Sequence, residues 1–354
     1  MKAKRVVVAM SGGVDSSVCA ALLKAQGFEV IGITMQIWQR PQAGSGCCGI
    51  GSIEDARKVA AQLGIPHYVL NFRNIFQEKV IDNFCREYQK GKTPNPCIRC
   101  NQYIKFDYLL NKARQLDASY IATGHYARVE FDKKRKRYLL KKGKDSKKDQ
   151  SYVLYPMTQG QLKHTLLPLG ELTKQQVRQI AKEKALAVAE KKESQEICFI
   201  PDNNYAEFVK AHTDGKLRPG PILNNQGQTI GKHQGIIFYT IGQRKGIGIA
   251  DKEPLYVISI NRKDNTIMVG RKEDVYSDEL IAADLNFISM DRLEAPMQVE
   301  AKVRYLHPQS PATIFPQDRG RVRVKFDQPQ WAITPGQAVV FYQGDRVIGG
   351  ATII

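Results

Sequence analysis

The sequence predicts an α/β chain with an N-terminal doubly wound parallel sheet, a small central β-rich domain and a C-terminal β-barrel. Three observations carry that reading. Over roughly the first 190 residues, short β-rich runs alternate with amphipathic helical segments, as in a parallel sheet crossed by helices. After about residue 200, Gly, Pro and Asn cluster in 217–221 and 224–227, and short β-branched segments replace helices. From about residue 275 nearly every segment is a short strand bounded by turns, as in 299–305 and 338–342, the texture of a small barrel. The expected division is therefore 1–200, 201–274 and 275–354.

Taken in order, the apolar run Val6-Val7-Val8-Ala9 reads as a buried parallel strand, and the periodic set Val14, Val18, Ala21, Leu22 and Ala25 as a helix stopped at Gly27. The second strand is 30–35. Ser52, with Asp55 three positions on, reads as the N-cap of a helix whose apolar face is Ala56, Val59, Ala60 and Leu63, ended by Gly64. Strands follow at 67–72 and 120–124. Thr173 and Gln176 form a capping-box pair ahead of Val177, Ile180 and Ala181. Asn224 to Gly227 reads as a hairpin turn. The densest charge run, 133–148, holds ten Lys or Arg in sixteen positions around Tyr138-Leu139-Leu140 and reads as a long basic hairpin.

The most informative junction lies between the first strand and the first helix, at Met10-Ser11-Gly12-Gly13-Val14-Asp15-Ser16-Ser17. A glycine turn into a helix N-terminus gathers several backbone N–H groups, and the helix dipole adds positive potential there. Two glycines let backbone approach a phosphate, and Ser11, Ser16 and Ser17 offer hydroxyls. A carboxylate at Asp15 beside phosphate makes sense chiefly as a Mg²⁺ ligand. No Lys-Ser/Thr follows the turn, so it is not a Walker A loop.

With 354 residues, 42% apolar and 25% charged, the chain has the composition of a globular protein large enough for two or three cores. No apolar run approaches the ~18 residues of a membrane span. The opening Met-Lys-Ala-Lys-Arg leads straight into a strand without a signal-peptide pattern, so a cytoplasmic location is expected. A net charge of +18 points to a polyanionic partner. Seven cysteines in such a chain argue for catalysis, redox chemistry or metal rather than a disulfide framework.

Cys97 and Cys100 form a C-x-x-C directly after Pro94-Asn95-Pro96, and Cys198 lies far downstream in Glu196-Ile197-Cys198-Phe199. A C-x-x-C alone suits redox, zinc or iron–sulfur use. A four-cysteine zinc site needs a second close pair, and the adjacent Cys47-Cys48 suits one metal poorly. Cys19 and Cys85 fall on apolar helix faces and read as core; on local sequence Cys198 reads equally as core or as functional.

The Ser-Gly-Gly-Val-Asp-Ser-Ser turn resembles the PP-loop of ATP pyrophosphatases, enzymes that adenylate a substrate and release pyrophosphate. Six further motifs follow it in order: Thr93-Pro94-Asn95-Pro96 through Cys100-Asn101 to Ile104-Lys105-Phe106; Ala122-Thr123-Gly124-His125-Tyr126; Lys148-Asp149-Gln150-Ser151-Tyr152; Glu196-Ile197-Cys198-Phe199; Thr240-Ile241-Gly242-Gln243-Arg244-Lys245-Gly246; and Pro335-Gly336-Gln337. The series is similar to that of the tRNA-specific 2-thiouridylases, the MnmA/TrmU family, over essentially the whole chain.

That resemblance implies an adenine nucleotide alpha hydrolase-like N-terminal domain and replacement of the C2 oxygen of a tRNA wobble uridine by sulfur. It implies Mg²⁺-ATP lined by Ala9, Met10, Ser11, Gly12, Gly13, Val14, Asp15, Ser16, Met35 and Gly124. It implies Cys100 as nucleophile and Cys198 as persulfide carrier, with a transient Cys100–Cys198 disulfide and a moving loop around Cys198. It implies tRNA contacts at His125, Lys148, Asp149, Gln150, Arg304, Tyr305 and Gln337, with tRNAs of the Lys, Glu and Gln type as substrates. The sulfur donor would be a cysteine desulfurase or a relay protein, and a monomer is expected. Many family members have Asp where Cys97 stands, which leaves the acid/base role unassigned and creates a set, Cys97, Cys100 and Cys198, able to ligate a [4Fe-4S] cluster with one open iron. Two other readings compete. Another PP-loop adenylating enzyme, of the lysidine-forming or amidotransferase-linked type, leaves Cys100 and Cys198 without work. A basic RNA-binding protein with a decayed nucleotide site leaves the intact loop unexplained.

Overall fold

Strand β1 (Arg5–Ala9) is completely buried at Val6, Val7 and Val8, and its neighbours are all parallel to it. With β2 (Glu29–Gln36), β3 (His67–Asn71), β4 (Tyr120–Ala122) and the two-residue β7 (Thr165–Leu166) it makes a five-stranded sheet in the order β3-β2-β1-β4-β7. The computed structural model describes residues 4–38, 50–192, 197–200, 204–212 and 217–354. The chain forms two compact units, the first from 1–80, 97–200 and 344–348, the second from 81–96, 201–343 and 349–354.

In the first unit, side chains alternate across β1. Val6 and Val8 face a core shared with helix α1 (Val14–Ala25), helix α2 (Ile50–Gln62) and helix Lys174–Glu183, through Val18, Leu23, Val59, Val177 and Ala181. Helix Leu109–Gln115 lies against β4, with Leu109 and Ala113 completely buried. The strand order reverses between β1 and β4, so the crevice at their carboxyl ends is the expected ligand site of an open α/β sheet.

Local expectations were met with informative exceptions. Helix α1 is buried over more of its circumference than periodicity suggests: Cys19, Ala20 and Leu23 are inside, while Ala25 is exposed. It is enclosed by both the sheet and helix Lys174–Glu183. Ser52 does not cap α2, because the helix already runs from Ile50 and Ser52 lies within its first turn. The capping box at Thr173 and Gln176 forms as expected. The basic run is part of a hairpin, β5 (Ala127–Asp132) and β6 (Arg137–Lys142), whose turn is 133–136.

The second unit holds two β assemblies. Strands β8 (Gly220–Leu223) and β9 (Thr229–His233) form the expected hairpin, and with β10 (Tyr256–Asn261) and β11 (Thr266–Gly270) they make a sheet in the order β10-β11-β8-β9. Strands β12 (Tyr276–Phe287), β13 (Met297–Lys302), β14 (Ser310–Gln317), β15 (Arg321–Trp331), β16 (Ala338–Gln343) and β17 (Arg346–Ile353, its residues from 349 on in this unit) run in the order β12-β15-β14-β13-β16-β17. Pairing of β12 back onto β17 at Ala282–Ile353 closes the barrel, which removes its sheet edges. The strand expected over 299–305 ends at Lys302, so Arg304 and Tyr305 lie in a turn. Among the described residues no helix is long and apolar enough to cross a membrane.

Candidate active site

The turn after β1 has the form of an anion cradle. Gly13 is the N-cap of α1 and no side chain caps the helix; its first bond is Ser17 N–H to Gly13 O, 3.2 Å. The N–H groups of Val14, Asp15 and Ser16 therefore begin the helix without an intrahelical acceptor. The serines organise the loop: Ser16 Oγ accepts from Ser11 N–H (3.2 Å), and Ser16 and Ser17 hydroxyls donate to Gly13 O at 3.1 and 2.9 Å. Ser17 is fully buried, so its expected role as a phosphate donor gives way to a structural one.

Two glycines are demanded by close approach. Gly12 has φ +70°, and a Cβ there would sit 2.1 Å from the carbonyl oxygen of Ser52. At Gly124 a Cβ would meet Asp15 and Ser16 backbone at 2.8 and 2.9 Å, so the residues after β4 lie directly on the start of α1. Met10 is buried and its carbonyl accepts from the Thr34 hydroxyl (2.8 Å), while Met35 is half-buried at the carboxyl end of β2. Ala9 through Ser16, Met35 and Gly124 thus all lie on the strand ends, turns and first helical turn at the carboxyl end of one sheet.

Asp15 is the centre of a network that the sequence did not disclose. Lys174 Nζ reaches both its carboxylate oxygens (2.7 and 2.8 Å), and the Tyr126 hydroxyl donates to Oδ1 (2.7 Å). Lys174 is the first residue of its helix, where the dipole disfavours a cation. That misplacement was a legible signal for an acidic partner, but its identity depends on a contact across 159 positions. Lys191 likewise donates to Gly12 O (3.0 Å) and pairs with Asp55 (2.6 Å), bracing the loop from the other side.

Cys100 opens a π-helix, Cys100–Tyr108, that continues the short helix Pro96–Arg99. Wide π-helical turns are uncommon and concentrate at functional sites. This one is tied to the strand-end residues. Asn101 donates to Val153 O (3.1 Å), Phe106 packs against the His125 ring (centroids 5.9 Å apart), and Lys105 Nζ lies 3.5 Å from His125 Nε2. An ammonium can only donate, so Nε2 is the acceptor and the Nδ1 proton is the one facing Thr123 Oγ1 at 2.7 Å. Burial, then Lys105, holds His125 well below the usual imidazole value of 6.5.

A neutral buried imidazole has a pH consequence. Because the folded state resists protonation and the unfolded chain does not, the stability from neutral His125 is complete above pH 6.5 and is lost as pH falls toward its folded pKa. His67 and His233 are shifted the same way, also chiefly by burial. Thermal unfolding should therefore show a melting temperature that drops on acidification below pH 6.5, with a shallower drop in His125→Gln. A profile flat from pH 7.5 to 5.5 would contradict it.

The remaining cysteines separate by environment. Cys19 and Cys85 are buried, and burial raises both thiols, Cys85 to about 11, so neither supplies thiolate near neutrality. Cys97 is exposed, and Cys100 and Cys198 are half-exposed. Cys198 escapes the core because its neighbours Phe199 and Ile200 are the anchors: both are buried, and Phe199 packs edge-on against Phe76. Cys100 and Cys198 are thiols here, and no disulfide joins them. Among the described residues no three His, Cys, Asp or Glu are grouped to hold a metal. The set Cys97, Cys100 and Cys198, which the sequence offered for an iron–sulfur cluster, is therefore not grouped as a metal site. Cys47 and Cys48 lie outside the described residues.

Of the residues expected at tRNA, several also build the fold. Asp149 accepts from Gly143 N–H, Ser151 N–H and the Ser151 hydroxyl, and Gln150 exchanges two bonds with the Tyr126 backbone. Lys148 lies beside them, half-exposed. Within the second unit, Arg304 Nη2 donates to Ile241 O (3.3 Å), Ala332 O (3.0 Å) and the Thr334 hydroxyl. Lys302 lies over the Tyr305 ring, and Gln337 donates to Thr93 O (2.7 Å).

Three family profiles cover the chain. One described as the tRNA methyl transferase HUP domain matches 4–202, a tRNA methyl transferase PRC-barrel domain matches 206–271, and an aminomethyltransferase beta-barrel domain matches 277–353. Full-length relatives carry a different chemistry in their names. A tRNA-specific 2-thiouridylase of Acetivibrio thermocellus is 55% identical, with 100% of both chains covered. Those of Pelotomaculum thermopropionicum and Clostridioides difficile are 56% and 54% identical, covering 100% and 99% of this chain and 98% of each relative. With identities of 54–56% to these relatives over essentially its whole length, the chain belongs to the tRNA-specific 2-thiouridylase family.

Proposed function

We propose that this chain is a tRNA-uridine 2-sulfurtransferase that replaces the C2 oxygen of a wobble uridine by sulfur at the expense of ATP. The observation that carries the reading is end-to-end identity of 55% with a protein named for that activity. The loop after β1 binds the phosphates of Mg²⁺-ATP with the first N–H groups of α1. Asp15 suits the magnesium carried by the nucleotide, and Lys174 and Tyr126 fix where its carboxylate stands.

A carbonyl oxygen is a very poor leaving group. The C2 oxygen attacks the α-phosphate, pyrophosphate departs, and the base carries AMP on that oxygen. Cys198 holds a persulfide delivered by a cysteine desulfurase or a relay protein. The Cys100 thiolate attacks the inner sulfur, the S–S bond breaks, and hydrosulfide is released as a Cys100–Cys198 disulfide forms. Hydrosulfide adds to C2 and AMP leaves with the original oxygen. An alternative order lets the terminal sulfur attack C2 first, with Cys100 then cleaving the S–S bond. Both end in a disulfide that an external dithiol must reduce. No step passes through an iron–sulfur cluster, which the described cysteines do not fit.

In this reading 1–200 performs activation and sulfur transfer, while 201–274 and 275–354 serve tRNA binding through residues such as Arg304, Tyr305 and Gln337. His125, Lys148, Asp149 and Gln150 form the tRNA side of the activating domain. The enzyme acts as a cytoplasmic monomer on tRNAs of the Lys, Glu and Gln type. The test is incubation of the full chain with unmodified tRNA, Mg²⁺-ATP, cysteine and a cysteine desulfurase, followed by nucleoside mass spectrometry. The expected product is 2-thiouridine with pyrophosphate release. A sulfur-free product on cytidine that depends on free lysine would replace this reading with a lysidine-forming ligase.

A further inference from the structure

The β5–β6 hairpin distributes its charge unevenly. Near its root three cations have acids: Arg128 with Asp345 (2.8 Å) and Glu171 (3.6 Å), Lys141 with Glu130 (2.6 Å), and Lys144 with Glu171 (3.8 Å). At the tip, Lys133, Lys134, Arg135 and Lys136 are all exposed, and one carboxylate serves them. Asp132 accepts from the N–H groups of Lys134 (2.8 Å) and Arg135 (3.0 Å) and pairs with the Arg135 guanidinium (2.8 Å). Among the described residues no ion pair reaches Lys133, Lys134 or Lys136. Three ammonium groups therefore share a four-residue turn whose backbone is fixed by an aspartate.

The tip is also held still and flanked by an aromatic face. Phe131 and Tyr138 are directly opposite in the ladder with ring centroids 4.9 Å apart, yet Phe131 remains 48% exposed. Gln159 exchanges two hydrogen bonds with the Tyr138 backbone (2.8 and 2.9 Å), and the backbone of Lys141 is opposite Arg346 of β17 in the β-ladder. A generally solvated basic surface needs neither this segregation of charge nor an exposed ring beside it. Ammonium groups neutralise phosphates, and an aromatic face accepts an unstacked base or ribose, the pairing typical of contacts to RNA loops.

We propose that this hairpin tip, Lys133, Lys134 and Lys136 with Phe131 beside them, is a docking surface for the phosphate backbone of the RNA substrate. The proposal rests on the tRNA reading above and adds a contact outside the nucleotide loop and the two thiols. The test uses the full chain with Lys133, Lys134 and Lys136 all changed to Gln, assayed for 2-thiouridine formation across a salt series. Removing three phosphate contacts should lower the slope of log affinity against log salt by about 2 and raise KM for tRNA about tenfold or more at low salt, with kcat at saturating tRNA unchanged. Phe131→Ser should raise KM several-fold without changing that slope. A control, Lys182→Gln with Lys184→Gln, removes charge from another exposed segment of the first unit and should leave KM unchanged. Wild-type KM and salt slope in the triple variant would overturn the proposal, as would an equal loss in the control. A wild-type chain that makes no 2-thiouridine would instead overturn the functional reading.

Discussion

Cys198→Ser is expected to abolish 2-thiouridine formation while leaving the adenylation step intact. A serine hydroxyl cannot carry sulfane sulfur, so no persulfide forms and the activated base waits without a nucleophile. The readout is a pair of measurements: nucleoside mass spectrometry should show no thiolation, and a rapid-mixing assay should still show tRNA-dependent release of pyrophosphate. Cys100→Ser should give the same pair, with one distinction: Cys198 would still accept labelled sulfur from the desulfurase and retain it. These two thiols suit that division because both are half-exposed, whereas Cys19 and Cys85 are buried and their thiols raised. Cys85→Ser should therefore leave thiolation intact. Normal thiolation by Cys198→Ser with a cysteine desulfurase as donor would sink the assignment, and full activity of both variants would favour an adenylating enzyme of another kind.

Gly12→Ala is the second large effect. The added methyl would enter a conformation at φ +70° that costs an L-residue about 1 kcal/mol or more, and it would sit 2.1 Å from a backbone oxygen of α2. Since that neighbour is main chain, the loop must shift. A shift of about 1 Å in a positioning loop costs on the order of 100-fold in rate. Pyrophosphate release should fall by about that factor, with a loss of roughly 1–3 kcal/mol in stability. Gly27→Ala is the matched comparison: its φ is +83°, but no atom lies within 4 Å of the added methyl. It should lose a similar backbone contribution and keep its activity. Equal activity in both variants would show that the approach of α2 does not set the loop.

Much of this was readable in one dimension because the relevant physics is local. Val6 to Ala9 is too uniformly apolar to be anything but a strand buried on both faces, and glycines followed by a periodic apolar run mark a strand-to-helix turn. Thr173 and Gln176 announced their capping box because both partners lie within one helical turn. Where local rules failed, a tertiary contact outweighed them. Ser52 had the sequence of an N-cap, yet its helix extends past it to Ile50, and its carbonyl is where Gly12 approaches. Arg304 and Tyr305 continued an alternating strand pattern, but the strand stops at Lys302 and Arg304 instead clamps the oxygens of Ala332 and Thr334.

Local sequence alone specified a parallel α/β sheet, the loop at the end of β1, the ordered motifs and the two cysteines that define a chemistry. Spacing along the chain specifies local geometry, and motif order specifies a family. The three-dimensional arrangement decided which groups meet: Lys174 and Tyr126 on Asp15, Lys191 on Gly12, and Lys105 on His125. It also decided that Cys198 stays accessible ahead of the buried Phe199 and Ile200, and that Cys97, Cys100 and Cys198 do not gather around a metal. These pairings join residues tens to more than a hundred positions apart, where periodicity and propensity carry no information. Only packing of the sheet, its helices and the π-helical turn brings them within reach of one another.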